Sequence, residues 1–123
     1  MATIHADVFD NGLTTYEEAN LVVLLSQEPA DYNAAFATHR LASVGVTASD
    51  YTVGAGDTVG GRKVTQGELT VDGESDGLAT HFAVLDTVGS RLLHAQTMTT
   101  VGITTGQPQQ VSAVRLLEIV QPA

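Results

Sequence analysis

Residues 62–99 read RKVTQGELTVDGESDGLATHFAVLDTVGSRLLHAQTMT. Three β-rich runs are separated by two compact turn signals, Asp72-Gly73-Glu74-Ser75-Asp76-Gly77 and Thr87-Val88-Gly89-Ser90. Turn residues at short, regular spacing between extended runs predict an antiparallel meander and argue against βαβ units. In the run 79–86 apolar residues fall on both faces, Phe82 and Val84 on one, Ala83 and Leu85 on the other. A strand of that kind sits centrally and is covered on each side.

Working outward, Leu21-Val22-Val23-Leu24-Leu25 is a second run that fits a strand covered on both faces. Pro29 then forbids continuation of the ladder. Residues 30–39 carry Tyr32 and Phe36 at i and i+4, which predicts one helical turn or a long loop. Residues 40–47 and 51–53 read as extended. The glycines Gly54, Gly56, Gly60 and Gly61 mark a flexible loop. Residues 62–71 read as one strand with a bulge at Gly67. Residues 91–99 form another, 102–108 a turn, and 111–120 a closing strand with Val111, Ala113, Leu117 and Ile119 on one face. The predicted fold is all-β, an antiparallel β-sandwich or flattened barrel of roughly six to seven strands, with a short N-terminal arm or helix. Residues 1–18 form that arm and residues 19–123 a single β domain.

The chain has 123 residues, enough to bury a core without disulfides. It has no Cys, which excludes thiolate catalysis and Cys-ligated zinc. Fourteen acidic residues face five basic ones, for a net charge of −9. No basic stripe exists to meet phosphate, so nucleic acid is not an expected partner. No apolar run approaches the length of a membrane span, and no signal peptide is read at the N-terminus. The expectation is a protein made in a cytoplasm, soluble, with no membrane partner.

Candidate chemistry is sparse. The 72–77 turn opens like a calcium loop, but the twelfth position, which needs Glu, is Ala83. The run 56–63 resembles a phosphate loop, yet Arg62 and Lys63 stand where Lys and Ser or Thr belong. His81 and His94 become diagonal neighbours on one face if the 87–90 turn has an even number of residues. No third metal ligand accompanies them. No Gly-x-Ser-x-Gly elbow is present. The expectation is a protein that is not an enzyme and carries no catalytic residues, cofactor or metal. One apolar set lies outside the predicted sheet: Ile4, Val8, Phe9 and Leu13. These are the candidate partner-binding residues, presented by the N-terminal arm.

Gly61-Arg62-Lys63-Val64-Thr65, then 79–87 as ATHFAVLDT, then Ser90-Arg91-Leu92-Leu93, together form a recognisable set. With Gly12-Leu13 and Ser26-Gln27-Glu28-Pro29 they resemble a group of small proteins encoded in tailed bacteriophages and prophages. The resemblance spans most of the chain from Asp10 to Ile119. It implies a virion structural component, a capsid decoration, cement or head-associated protein that is homo-oligomeric. Its partners would be the major capsid protein or other virion proteins, and its location the virion. The alternative is a tail or head-fibre binding module that contacts a host glycan or protein.

Overall fold

A computed structural model describes Asp10 and residues 12–120. Among the described residues nine strands form: β1 Leu21–Leu25, β2 Arg40–Gly45, β3 Tyr51–Ala55, β4 Arg62–Gln66, β5 Leu69–Gly73, β6 Gly77–Asp86, β7 Arg91–Ile103, β8 Pro108–Val111 and β9 Val114–Ile119. Six make a curled sheet in the order β7-β6-β1-β2-β5-β8, and three make a second sheet in the order β3-β4-β9. Every pairing is antiparallel. The fold is the predicted all-β class, a sandwich tending to a half-barrel.

Two expected long strands are each two. Residues 62–71 divide at Gly67, and 111–120 divide at Ser112 and Ala113, where the chain passes from one sheet to the other. The burial pattern records both crossings. Val64 and Gln66 are buried before the first, Leu69 and Val71 after it, so the two-residue period slips by one. Val111 is buried before the second crossing and Leu116 after it. A further slip, Val64 opposite Leu117 and Thr65 opposite Arg115, inserts Leu116 as a bulge. The bulge turns Leu116 inward and leaves Leu117 42% exposed, against the expected inward Leu117.

The expected meander holds only for the β6–β7 hairpin. The 72–77 turn is not a hairpin, because β1 and β2 lie between β5 and β6 in the sheet. The backbone N–H groups of Glu74 and Ser75 both donate to the Leu41 carbonyl, carrying the connection across the end of β2. The reason lies in β1. Its five apolar residues need cover on both edges and both faces, and β2 and β6 flank it.

The main core lies between the sheets. Val22, Leu24, Phe82, Val84 and Val71 face Val64, Tyr51 and Leu116 across it. On the outer face of the large sheet, Val23, Leu25, Ala83 and Leu85 meet Ala35 and Tyr32. Ala35 belongs to a π-helical turn, Ala34–Thr38, which meets the expectation of one helical turn there. Phe82, Val84, Ala83 and Leu85 are all buried, as their two-faced pattern predicts. The 3₁₀ segment Thr14–Glu18 closes one end with Tyr16, and Leu13 just before it is fully buried in the same core. Leu13 is therefore not part of a free docking set, because its own sheets cover it. Ile4, Val8 and Phe9 lie outside the described residues.

Candidate functional site

The curl of the large sheet brings its two edge strands, β7 and β8, toward each other without pairing them. Between them lies an open slot of about 400 Å³. Phe82, Met98, Val101 and Val111 form its floor, and Gln96, Thr97, Thr99, Thr100, Gln109, Gln110 and Ser112 its walls. Within the slot the β6–β7 ladder breaks. Ala79 pairs with Val101 and His81 with Thr97, so residues 98–100 face Thr80 alone. This bulge bends β7 and turns both Met98 and Val101 toward the core. No lining residue carries a charge. Sequence reading passed over these residues, since Thr and Gln on strands are ordinary. A signal was present nonetheless: residues 92–114 contain no Asp, Glu, Lys or Arg, in a chain with nineteen such residues.

The other rim is the reverse. The glycine loop before β4 is tied down, not flexible as the sequence suggested. Gly56 N–H donates to the Gly61 carbonyl at 2.8 Å, and Gly61 N–H to the Thr58 carbonyl at 2.9 Å. Thr58 N–H donates to Glu118 Oε2 at 2.9 Å. The loop's backbone thus already holds an anion, the chain's own carboxylate. Asp57 receives Lys63 at 2.6 Å and Arg115 at 3.0 Å, and Arg115 also reaches Glu118 at 2.9 Å. The Lys63 hydrogen bond, ahead of the opposing effect of burial, holds the Asp57 carboxyl below its usual range. A Cβ on Gly56 or Gly61 would press on the Glu118 carboxylate, and on Gly56 it would also meet the Gly61 backbone carbon at 2.8 Å, which is why the loop needs glycine at 56. Arg62 binds Asp10 through two contacts, at 2.8 and 3.0 Å.

The histidines do not converge. The 87–90 turn has four residues, but the ladder slips again, with Leu85 opposite Leu92 and Val84 opposite His94. Leu93 is the extra residue. The slip puts His94 on the inner face, where its ring lies 5.6 Å from Tyr16 and 6.3 Å from Phe82. Tyr16 Oη and His94 Nδ1 are 3.0 Å apart, and His94 Nε2 lies 2.7 Å from Gln96 Oε1. Burial pushes the Tyr16 hydroxyl pKa up, so it stays protonated and a donor. His81, with Thr97 and Ala83 as near neighbours in register, lies on the outer face and contacts Thr80 Oγ1 at 2.8 Å. His39 caps the π-helical turn through its backbone N–H, and His5 lies outside the described residues.

The acidic turns use their carboxylates internally. Glu74 takes Arg40 at 2.7 and 3.0 Å and Ser43 at 3.0 Å, and the Arg40 bond lowers its pKa. Asp76 accepts from Thr105 N–H at 2.8 Å and its hydroxyl at 3.0 Å, which lowers its pKa too. Asp86 accepts from Arg91, from Gly89 N–H and from Val88 N–H, and the Arg91 bond is the main cause of its lowered pKa. Among the described residues no three His, Asp or Glu side chains gather as a metal site, and no helix is long and apolar enough to cross a membrane.

No protein-family model, no curated protein and no solved structure matches this chain.

Proposed function

We propose that this chain is a non-enzymatic bacteriophage virion structural protein, a capsid decoration or cement protein that binds the capsid shell and stabilises it. One observation carries the reading. Glu74, Asp76, Asp86 and Glu118 hold turns and loops, while the β7 and β8 edges and an uncharged slot between them stay open. Open edges suit a protein whose work is joining to other proteins. The carboxylates fit an exterior that avoids sticking to DNA and other anionic surfaces. The expected partners are the major capsid protein and further copies of the chain, and the expected location is the virion. Imaging of particles that carry the protein tests this. A regular array over the head lattice, and heads that empty at lower temperature when the protein is missing, are the expected results. A protein absent from purified particles would sink the reading.

A second reading is a tail or head-fibre module that contacts a host glycan or protein. Tyr32 and Phe36 favour it. Their rings stack 5.4 Å apart, the Arg40 guanidinium lies 5.3 Å above the Phe36 ring, and Phe36 is 38% exposed. An exposed aromatic platform beside a cation is a common recognition surface. Binding of the purified chain to host cells, lost in Phe36→Ala, separates this reading from the first.

A further inference from the structure

We propose that the slot between β7 and β8 receives an extended, uncharged peptide segment of a protein with which this chain assembles, added as a strand along the β7 edge. The proposal deepens the decoration reading and rests on it only for the source of the segment.

The backbone argues for an extended partner. Among the described residues β7 pairs only with β6, and β8 only with β5. The break opposite Thr80 takes residues 98–100 off the β6 ladder. Backbone N–H and C=O groups on the open side of an edge strand face water, and an added strand replaces that water at the right repeat. The stretch 96–101 spans about 17–20 Å, room for roughly five or six residues of a new strand. A glycan fits less well, since the one aromatic lining residue, Phe82, is only 2% exposed and offers no stacking face.

Charge argues for a neutral partner. Exposed edges are normally blunted by charge, proline, a bulge or a covering loop. The edge strand β9 carries the charged Arg115 and Glu118, which bind the 56–61 loop, and β8 begins with Pro108. The slot-facing part of β7 has neither charge nor proline, and its bulge leaves Gln96, Thr97 and Val101 in the ladder on either side. An ionic side chain laid on Met98 and Val101 would lose water and find no counter-ion. Small or β-branched apolar residues at alternate positions satisfy both the floor and the Thr and Gln walls.

The test uses the purified full chain and a labelled, capped eight-residue peptide of alternating Thr and Val. Saturable binding by fluorescence anisotropy is expected, with amide shifts on NMR confined to residues 96–101 and 109–111. Glutamate in place of the probe's valines should weaken binding by about tenfold or more. Thr99→Lys and Gln110→Lys, both at exposed positions, should do the same while keeping the wild-type circular dichroism. Val88→Lys, at the far tip of the β6–β7 hairpin, should bind like wild type. No binding, or equal binding by all variants, overturns the proposal. Binding only when Ile4 and Val8 are both replaced by Glu in the full chain also overturns it, because the chain's own N-terminal segment is then the occupant. The two readings fail separately. A chain that binds the probe but never coats particles sinks the decoration reading alone, and one that coats particles while ignoring the probe sinks the slot alone.

Discussion

The two open rims of this sandwich are finished in opposite ways. At the small sheet, Lys63 of β4 and Arg115 and Glu118 of β9 hold the 56–61 loop through Asp57 and the Thr58 N–H. At the large sheet, β7 and β8 stand apart over a slot without a single charge. Charge in this molecule is therefore not spread for solubility alone. It gathers around the 56–61 loop of the small sheet and is absent from the slot of the large one. The comparison teaches that the net charge of −9 says less than where the charge is missing.

The largest expected effect tests whether the open side rests on a true core. Phe82 floors the slot yet is 2% exposed and packs with the main cluster. Phe82→Ala should cost about 3–5 kcal/mol, from lost burial and the cavity left behind. Urea denaturation would read this as a shifted midpoint at unchanged slope. A loss below about 1 kcal/mol would mean that the slot side is loosely packed, and that its openness is slack and not design.

Next is the closed rim. The Glu118 side chain is 7% exposed and accepts from Thr58 N–H while pairing with Arg115. Glu118→Ala should cost about 1.5–3 kcal/mol, since it removes a charged acceptor and strands a donor. Hydrogen exchange at Thr58 should accelerate with it, while exchange across β1 stays slow. Carboxylates of both sheets set an acid response. Asp57, Asp86, Asp76 and Glu74 all have folded pKa values lowered by hydrogen bonds, from Lys63, Arg91, Thr105 and Arg40 first among the causes. A lowered folded pKa gives stability that is full above the unfolded value and is lost as pH falls through the folded one. With unfolded values of 3.8 for Asp and 4.5 for Glu, the Tm should hold near neutrality and fall below about pH 4.5. Asp86→Asn should flatten part of that fall. A Tm independent of pH down to about 3 would mean that these pairs add nothing.

How much of this was legible follows from particular residues. Leu21–Leu25 and 79–86 announce buried central strands because the first is apolar throughout and the second carries Phe82, Ala83, Val84 and Leu85 on both faces. The strand order was hidden, since a turn such as 72–77 looks alike whether it makes a hairpin or crosses two strands. The sheet switches at Gly67 and Ser112 were written as one-residue slips in the apolar alternation, and a long-strand reading smooths over such slips. The bulge at Leu93 has no composition signal at all, yet it alone puts His94 and His81 on opposite faces. The slot was half legible. Its lack of charge stands in the sequence, but the approach of β7 and β8 is a product of sheet curl. Function is suggested by resemblance alone, and geometry adds to it only the question of what fills the open edge.

A smaller effect probes the polar contents of the closed side. Tyr51 Oη donates to Gln66 Oε1 at 3.1 Å, and Gln66, 0% exposed, has its Nε2 without a partner among the described residues. Burial, with Asp50 nearby, raises the Tyr51 pKa, so the hydroxyl remains a donor at any working pH. Tyr51→Phe should cost about 1 kcal/mol by orphaning the Gln66 oxygen. The double variant Tyr51→Phe with Gln66→Met should return to within roughly 0.5 kcal/mol of wild type, because it removes both polar groups together. A double variant as costly as the two single changes summed would show that Gln66 is held by something else.

The smallest expected effect on stability is the one that sharpens the comparison most. Thr99 is exposed at the slot, on the part of β7 that leaves the β6 ladder. Lysine there has water on one side and displaces no packed group, so Thr99→Lys should move stability by no more than about 0.5 kcal/mol. Its consequence for association should be out of proportion to that figure. A lysine is one device by which natural sheets close an edge, and here it would put a charge where the slot has none. The chain should keep its melting curve and lose occupancy on particles. If Thr99→Lys binds as wild type does, the absence of charge along β7 has no bearing on assembly, and the contrast between the rims is only one of packing. If it unfolds instead, the 98–100 bulge is a structural element, and its freed backbone already has partners within the chain.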